Sequence, residues 1–243
     1  INIMDQKISV ITVCFNCVND ISLTIDSVIQ QSYGNIEYII IDGGSTDGTV
    51  DVINGYIDNI DVFISEPDQG IFDAMNKGLK YITGDWVNFM NAGDQFYNSS
   101  VLQSLFLNKT YANIGVLYGS TFSHGAVRKP HALSSLKYGG IMACHQSIFY
   151  NPLICGKELF YKTKHKHYGD IELTRRLFLS GIQFIEVSNI ISSFKGDGFS
   201  SQVSNKARLA KFDYLYQNLG LIGFIYGFIG KAKSFIKFYL SKM

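Results

Sequence analysis

Residues 7–15 (KISVITVCF) are almost continuously apolar and β-branched, the pattern of a strand buried on both faces. Polar residues follow. Then Ile21, Ile25, Val28 and Ile29 recur at helical spacing, with Asn19 or Asp20 placed to cap a helix running to about Gln31. The alternation repeats: residues 36–41 (IEYIII), 62–65 and 86–90 predict three more strands. Helices are expected after the turn at 42–48, with Ser45 or Thr46 as the cap, and over 70–82. Strands that alternate with helices in this way form βαβ crossovers. The fold class predicted is therefore α/β, a mostly parallel Rossmann-like sheet with helices on both faces. Such sheets bind ligands beyond the carboxyl ends of their strands. The loops at 16–20, 42–48, 66–70 and 91–95 should then share one rim.

Beyond about residue 100 the pattern loosens. Residues 116–118, 148–150 and 184–187 look like strands and 170–180 like a helix, a mixed extension over the rim. At the end, residues 219–240 are amphipathic: Leu221, Ile225, Phe228, Phe235 and Tyr239 share a helical face, and Lys231, Lys233 and Lys237 interrupt the apolar run. A bilayer span needs about 20 apolar residues, so this segment is too short and too charged to cross one. It either lies in an anionic lipid interface or packs on the domain or a second subunit.

Composition adds little beyond a sizeable core: 243 residues, 47% hydrophobic, with three prolines and no repeat or low-complexity tract. The net charge of +1 argues neither for nor against nucleic acid, and none is expected as a partner. Cys14 and Cys17 have the CxxC spacing of redox and zinc sites; with Cys144 and Cys155 they read instead as packing residues of a reducing cytoplasm. No signal peptide precedes the first strand, and Met4 is as plausible an initiator as any residue before Ile1, so a cytoplasmic location is expected.

Several polar residues could carry chemistry, and each has a plainer reading. Asp94 ends a strand in the turn Asn91-Ala-Gly-Asp94. One carboxylate there, with phosphate oxygens, is adequate for Mg²⁺ or Mn²⁺; it is equally an ordinary turn aspartate. Asp42 follows three isoleucines, where it either meets a nucleoside or caps the turn. Asp68, Asp73, Asn76 and Lys77 belong to one loop and helix, as a donor site or a solvated face. Asp170 opens an apolar helix, where a carboxylate can deprotonate a hydroxyl or cap the helix. His145-Gln146 is polar inside IMACHQSIFY, a buried pair or a pocket contact. Neither GxGxxG nor GxxxxGK[ST] occurs in the required place.

Taken together, ISVITVCFN, IIIDGGSTDGT, SEPDQGIFDAMNKGL, FMNAGD, CHQSIFY, GDIELTRRLFLSG and the weaker GDGFS resemble, in order, the family 2 glycosyltransferases of the GT-A fold. The similarity covers about residues 8–200 and is nearest to bacterial enzymes that build colanic acid and other surface polysaccharides. The resemblance implies that Phe15 and Asp42 contact the nucleoside and that Asp68, Asn76 and Lys77 line the donor site. It implies Asp94 as the metal ligand, with Mg²⁺ or Mn²⁺ as cofactor, Asp170 as catalytic base, and His145, Gln146 and Arg176 near the sugar or acceptor. Two departures stand out. The usual DxD is NAGD, with one acid, and Asp197 stands where relatives often carry glycine.

The expected protein is thus an inverting, membrane-associated transferase that moves a sugar from a nucleotide diphosphate to a hydroxyl of a lipid-linked glycan. Residues 1–110 would be its nucleotide-sugar half, 111–205 its acceptor half, and 206–243 a helical tail for membrane contact or homo-oligomerisation. Two alternatives stay open. A sugar-1-phosphate nucleotidyltransferase would place a glycine-rich basic loop after the first strand, where this chain has NCVND. A non-catalytic sugar-nucleotide-binding module is favoured by the single acid of NAGD.

Overall fold

The computed structural model describes residues 5–164 and 168–194; the amphipathic segment at 219–240 and Asp197 lie outside the described residues. The first half follows the alternation read from the pattern: β1 (Ile8–Cys14), α1 (Ile21–Ile29), β2 (Ile36–Asp42), α2 (Thr49–Asn54), β3 (Val62–Ser65), α3 (Ile71–Gly78) and β4 (Trp86–Phe89). These four strands are parallel, in the order β3-β2-β1-β4. The chain then adds β5 (Asp94–Phe96), α4 (Val101–Phe106), β6 (Ile114–Ser123), β7 (Ala126–Arg128), β8 (Ile148–Tyr150), α5 (Pro152–Cys155), α6 (Gly169–Leu179) and β9 (Gln183–Phe194). The sheet continues through them as β4-β8-β6-β9-β5, with β7 paired to β6. Strand β8 runs antiparallel to both β4 and β6, and β9 runs parallel to β6.

Side-chain alternation along β1 and β2 feeds two cores. Ile8, Val10, Tyr38 and Ile40 face α1, α2 and α4, with Ile21, Ile25, Ile53, Leu102 and Phe106. Ile11, Val13, Ile39 and Ile41 face α3 and α6, with Phe72, Met75, Leu173 and Leu177. A strand covered on both faces has no polar side to show, which is why β1 and β2 read as continuous apolar runs. Each fully buried isoleucine contributes about 1.5–3 kcal/mol.

Two caps differ from expectation. Helix α2 starts at Thr49, whose backbone N–H and hydroxyl both donate to Asp47 Oδ1 (3.0 and 2.6 Å), while the Ser45 hydroxyl donates to Asp42 instead. Helix α6 starts one residue early, at Gly169, so the N-cap is Tyr168 and Asp170 sits inside the first turn. All four cysteines are free thiols.

Candidate active site

Strand ends and turns deliver the polar residues to the carboxyl edge of the parallel strands. After β4 the chain turns at Asn91–Asp94, with Gly93 in the left-handed region at φ 94°. Thr24 of α1 straps this turn: its hydroxyl accepts from Gly93 N–H (2.9 Å) and donates to the Asp94 carbonyl (2.7 Å). A buried threonine on the otherwise apolar face of α1 is the sequence signal for this strap, and the pattern reading passed over it. The Asp94 carboxylate is left facing the turn that precedes β8. That turn is pinned by Asn88 of β4, whose amide donates to the carbonyls of Gln146 (3.2 Å) and Ile148 (2.9 Å).

His145 stands between two acids far apart in sequence. Its Nε2 lies 3.4 Å from Asp94 Oδ2 and 3.0 Å from Asn91 Nδ2; its Nδ1 lies 3.8 Å from Asp170 Oδ2. Gln146 Nε2 donates to Asp94 Oδ1 at 3.2 Å. The three side chains are partly open, at 15% for Asp94, 19% for His145 and 24% for Asp170. Burial opposes a charge on His145, but the carboxylates of Asp170 and Asp94 outweigh it and raise the imidazole to about 9. A charge on the imidazole, which both carboxylates favour, offsets part of the negative charge around it.

A second group gathers at the rim beyond β1 and β2. Phe15 is 62% exposed. A Cβ on Gly43 would lie 3.3 Å from the Phe15 ring and 2.5 Å from Asp68 Oδ2, so the aromatic and the acid flank the same backbone position. Asp68 Oδ1 accepts from Gly70 N–H (2.7 Å). Lys77 is tied to Glu66 (2.8 Å) and the Pro67 carbonyl (2.9 Å), which props the 66–70 loop; the Glu66 contact also raises its pKa.

Three expected site residues are engaged inside the protein. Asp42 is 0% exposed and takes five donors: the hydroxyls of Ser45 and Ser65, the N–H groups of Gly44 and Ser45, and Cys14 Sγ. Burial works against its charge, and these donors more than compensate, so its pKa is lowered. Asn76 spends its amide on the backbone of Tyr161, donating to the carbonyl (2.7 Å) and accepting from the N–H (2.8 Å). Arg176 binds Glu172 (3.0 Å), Glu158 (2.9 Å) and the Phe160 carbonyl (2.6 Å), with the Phe160 ring 4.4 Å from its guanidinium carbon. As placed, Asn76 and Arg176 brace the 158–161 segment.

Among the described residues no three His, Cys, Asp or Glu side chains form a metal cage. The oxygens at the turn nevertheless suit a hard cation shared with a ligand. Asp94 offers one carboxylate, and the buried Asn91 Oδ1 and Gln146 Oε1 have no hydrogen-bond partner. Magnesium is commonly held by one or two carboxylates plus substrate phosphates, so the residues present fit that mode.

The sequence profile of "Glycosyl transferase family 2" matches residues 9–172. An uncharacterised glycosyltransferase of Haemophilus influenzae is 30% identical over 95% of this chain and 97% of its own length. A PGL/p-HBAD biosynthesis glycosyltransferase of Mycobacterium bovis is 29% identical over 70% of this chain and 69% of its own. Among solved structures, Staphylococcus aureus TarS in complex with UDP superposes with a TM-score of 0.67 at 17% identity, covering 86% of this chain. The mannosyltransferase PcManGT of Pyrobaculum calidifontis, in complex with GDP-Man and Mn²⁺, gives 0.66 at 14% identity over 88%. The chain spans 63% of each of those two, less than two thirds of their length. The fold is GT-A-like, a family in which divalent metal is the general rule. With two thirds of the chain inside the family profile and a near-full-length relative beside it, the protein belongs to glycosyl transferase family 2 and is a glycosyltransferase.

Proposed function

We propose that this chain is an inverting transferase that moves a sugar from a nucleotide diphosphate to a hydroxyl of a growing, lipid-linked glycan in bacterial surface-polysaccharide assembly. The observation that carries this reading is the meeting of Asp94 and Asp170 on the two nitrogens of one histidine. Asp170 takes the proton of the acceptor hydroxyl as its oxygen bonds to the anomeric carbon. The carbon–oxygen bond to the diphosphate breaks on the opposite face, and the nucleoside diphosphate leaves. Glycosyl transition states of this kind have oxocarbenium character. Asp94 would hold Mg²⁺ or Mn²⁺, which when bound would neutralise charge on the leaving group. Phe15 stacks the nucleobase, Asp68 accepts from the donor beside it, and the Asp42 hub shapes the turn under them. Lys77 props that loop, while His145 and Gln146 border the transferred sugar.

Residues 1–110 then serve the donor and 111–205 the acceptor. The basic sequence of 206–243 supports a peripheral contact with the cytoplasmic membrane's inner face or with a second copy. Among the described residues no helix is long and apolar enough to cross a membrane.

The test is a thermal-shift and turnover screen against UDP-, GDP- and dTDP-sugars with Mn²⁺ or EDTA. One donor class should stabilise the protein, more so with Mn²⁺, and release nucleoside diphosphate. Pyrophosphate release from a nucleoside triphosphate and a sugar phosphate, or donor binding without turnover, would overturn the proposal.

A further inference from the structure

After Asp94 the next acid in the chain is Glu158, while Lys109, Arg128, Lys129, Lys137 and Lys157 all fall between them. That stretch holds β6, β7 and β8, so the wall beyond the Asp94 turn is built without a carboxylate of its own. Within it, Arg128 is unlike the other engaged cations. Lys7, Lys77, Lys162 and Arg176 each have a glutamate partner. Among the described residues Arg128 makes no ion pair; it contacts a histidine and a phenyl ring.

Strands β6 and β7 form a hairpin turned by His124 and Gly125, both left-handed at φ 52° and 74°. A two-residue turn of this hand matches the twist of its strands and fixes their register. Cross-strand partners share one face of a sheet. In one row Asp94 pairs with Phe194, Phe194 with Ser123, and Ser123 with Ala126. In the next row on that face Phe96 pairs with Ser192, Ser192 with Thr121, and Thr121 with Arg128. Phe194 of β9 thus lies between the Asp94 turn and the hairpin. The Arg128 guanidinium carbon is 5.7 Å from the centre of its ring, and the His124 ring meets it edge-on at 6.3 Å. The Thr121 hydroxyl bonds that of Ser147 (2.7 Å), two residues from His145, which ties the hairpin to the turn facing Asp170.

Arginine has no acceptor, so in the 3.0 Å contact between Arg128 Nη2 and His124 Nδ1 the imidazole accepts. A neutral ring then carries its proton on Nε2. The exposed pair therefore offers donors alone: that Nε2–H and the remaining N–H groups of the guanidinium. Ser123, in the row of Phe194, keeps a buried hydroxyl with no partner. Ring and imidazole hold the guanidinium in place before any ligand arrives, which lowers the ordering cost of binding. A carboxylate is satisfied by one edge of a guanidinium, whereas a phosphate has a further oxygen for the imidazole N–H.

We propose that Arg128 and His124 bind a phosphate group carried by the acceptor, across β9 from the Asp94 turn. This rests on the transferase reading and gives its acceptor a charged feature to be recognised.

The experiment begins with the full chain labelled with ¹⁵N at arginine. It has only Arg128, Arg175, Arg176 and Arg208, so the Nε–H spectrum is sparse, and the Arg128 signal is assigned by its loss in Arg128→Lys. Glucose 1-phosphate should move that signal and saturate in the millimolar range. Glucose, and sodium chloride at matched ionic strength, should not. An unmoved Arg128 signal, an equal shift with salt, or tighter saturation with glucuronate overturns the proposal. Turnover then separates acceptor from donor, using the donor and acceptor hexose found by screening. The hexose is supplied on undecyl diphosphate and on neutral undecanol. Arg128→Gln should raise KM for the first acceptor about tenfold and leave KM for the second within about twofold. Equal rises for both, or a rise in donor KM instead, overturns the acceptor assignment. Failure of every donor to turn over would sink the transferase reading, while the Arg128 titration still decides whether the hairpin binds phosphate.

Discussion

The end of β2 and the first turn of α6 each carry an aspartate, and the two carboxylates live in opposite circumstances. Asp42 is closed to solvent and surrounded by five donors. Asp170 is 24% open, sits inside the first turn and not at the N-cap, and has one oxygen buried without a standard hydrogen bond and the other 3.8 Å from a histidine. A carboxylate whose lone pairs are all taken holds a loop in shape and has nothing left for a substrate. One that is under-satisfied beside an opening retains capacity to accept a proton. The same residue type, at the same kind of element boundary, is fully engaged in one place and left with capacity to accept in the other.

Substitution separates the two most sharply. Asp170→Asn should lower turnover by about 10²–10⁴-fold with the melting temperature nearly unchanged. A variant that keeps its rate, or that unfolds, breaks the contrast. Asp42→Ala strands several buried donors and should cost about 2–4 kcal/mol of stability, measured by urea or thermal unfolding. Because the Asp42 pKa is lowered in the fold, its contribution is complete above the ordinary carboxylate value of 3.8 and fades as pH falls through the lower folded midpoint. Asp42→Asn should remove that part of the acid sensitivity.

Phe15→Ala sharpens the comparison from the rim. Its ring is exposed, so stability should hold while the donor KM rises about tenfold at constant kcat, in line with base stacking worth about 1–3 kcal/mol. The smallest effect is on the alkaline side. His145 is raised from 6.5 to about 9, so its ion pairs stabilise fully below 6.5 and are lost as pH rises through about 9. The melting temperature should decline over that window, and His145→Gln should flatten the decline.

Much of the fold was readable because β1 to β4 are short runs buried on both faces, separated by helices with their own period. The later half was less so. Strand β9 spans twelve residues, but only its Phe184–Val187 stretch is apolar enough to announce itself; Ser188, Asn189, Ser192 and Ser193 hide the rest. Strand β5, at three residues, is too short for any periodicity. In the site, the acid-bearing turns after β2 and β4 were visible as strand ends. The engagement of Asn76 and Arg176 with the 158–161 segment was not, because those partners lie 85 and 16–18 residues away in a stretch without regular pattern. Tyr161 carried no signal at all in a single sequence: an aromatic in an irregular stretch looks like any other.

The Asn76–Tyr161 tie has a consequence for assembly. Contacts between remote parts of a chain repay their loop-closure entropy only after the intervening segments have settled. Helix α3 and the strands around it can gain their secondary structure while the 158–161 brace is still loose, and until the brace closes nothing fixes the wall behind Asp170. On dilution from denaturant, recovery of far-ultraviolet ellipticity should run ahead of recovery of turnover, and weakening the tie with Asn76→Ala should widen the delay between the two.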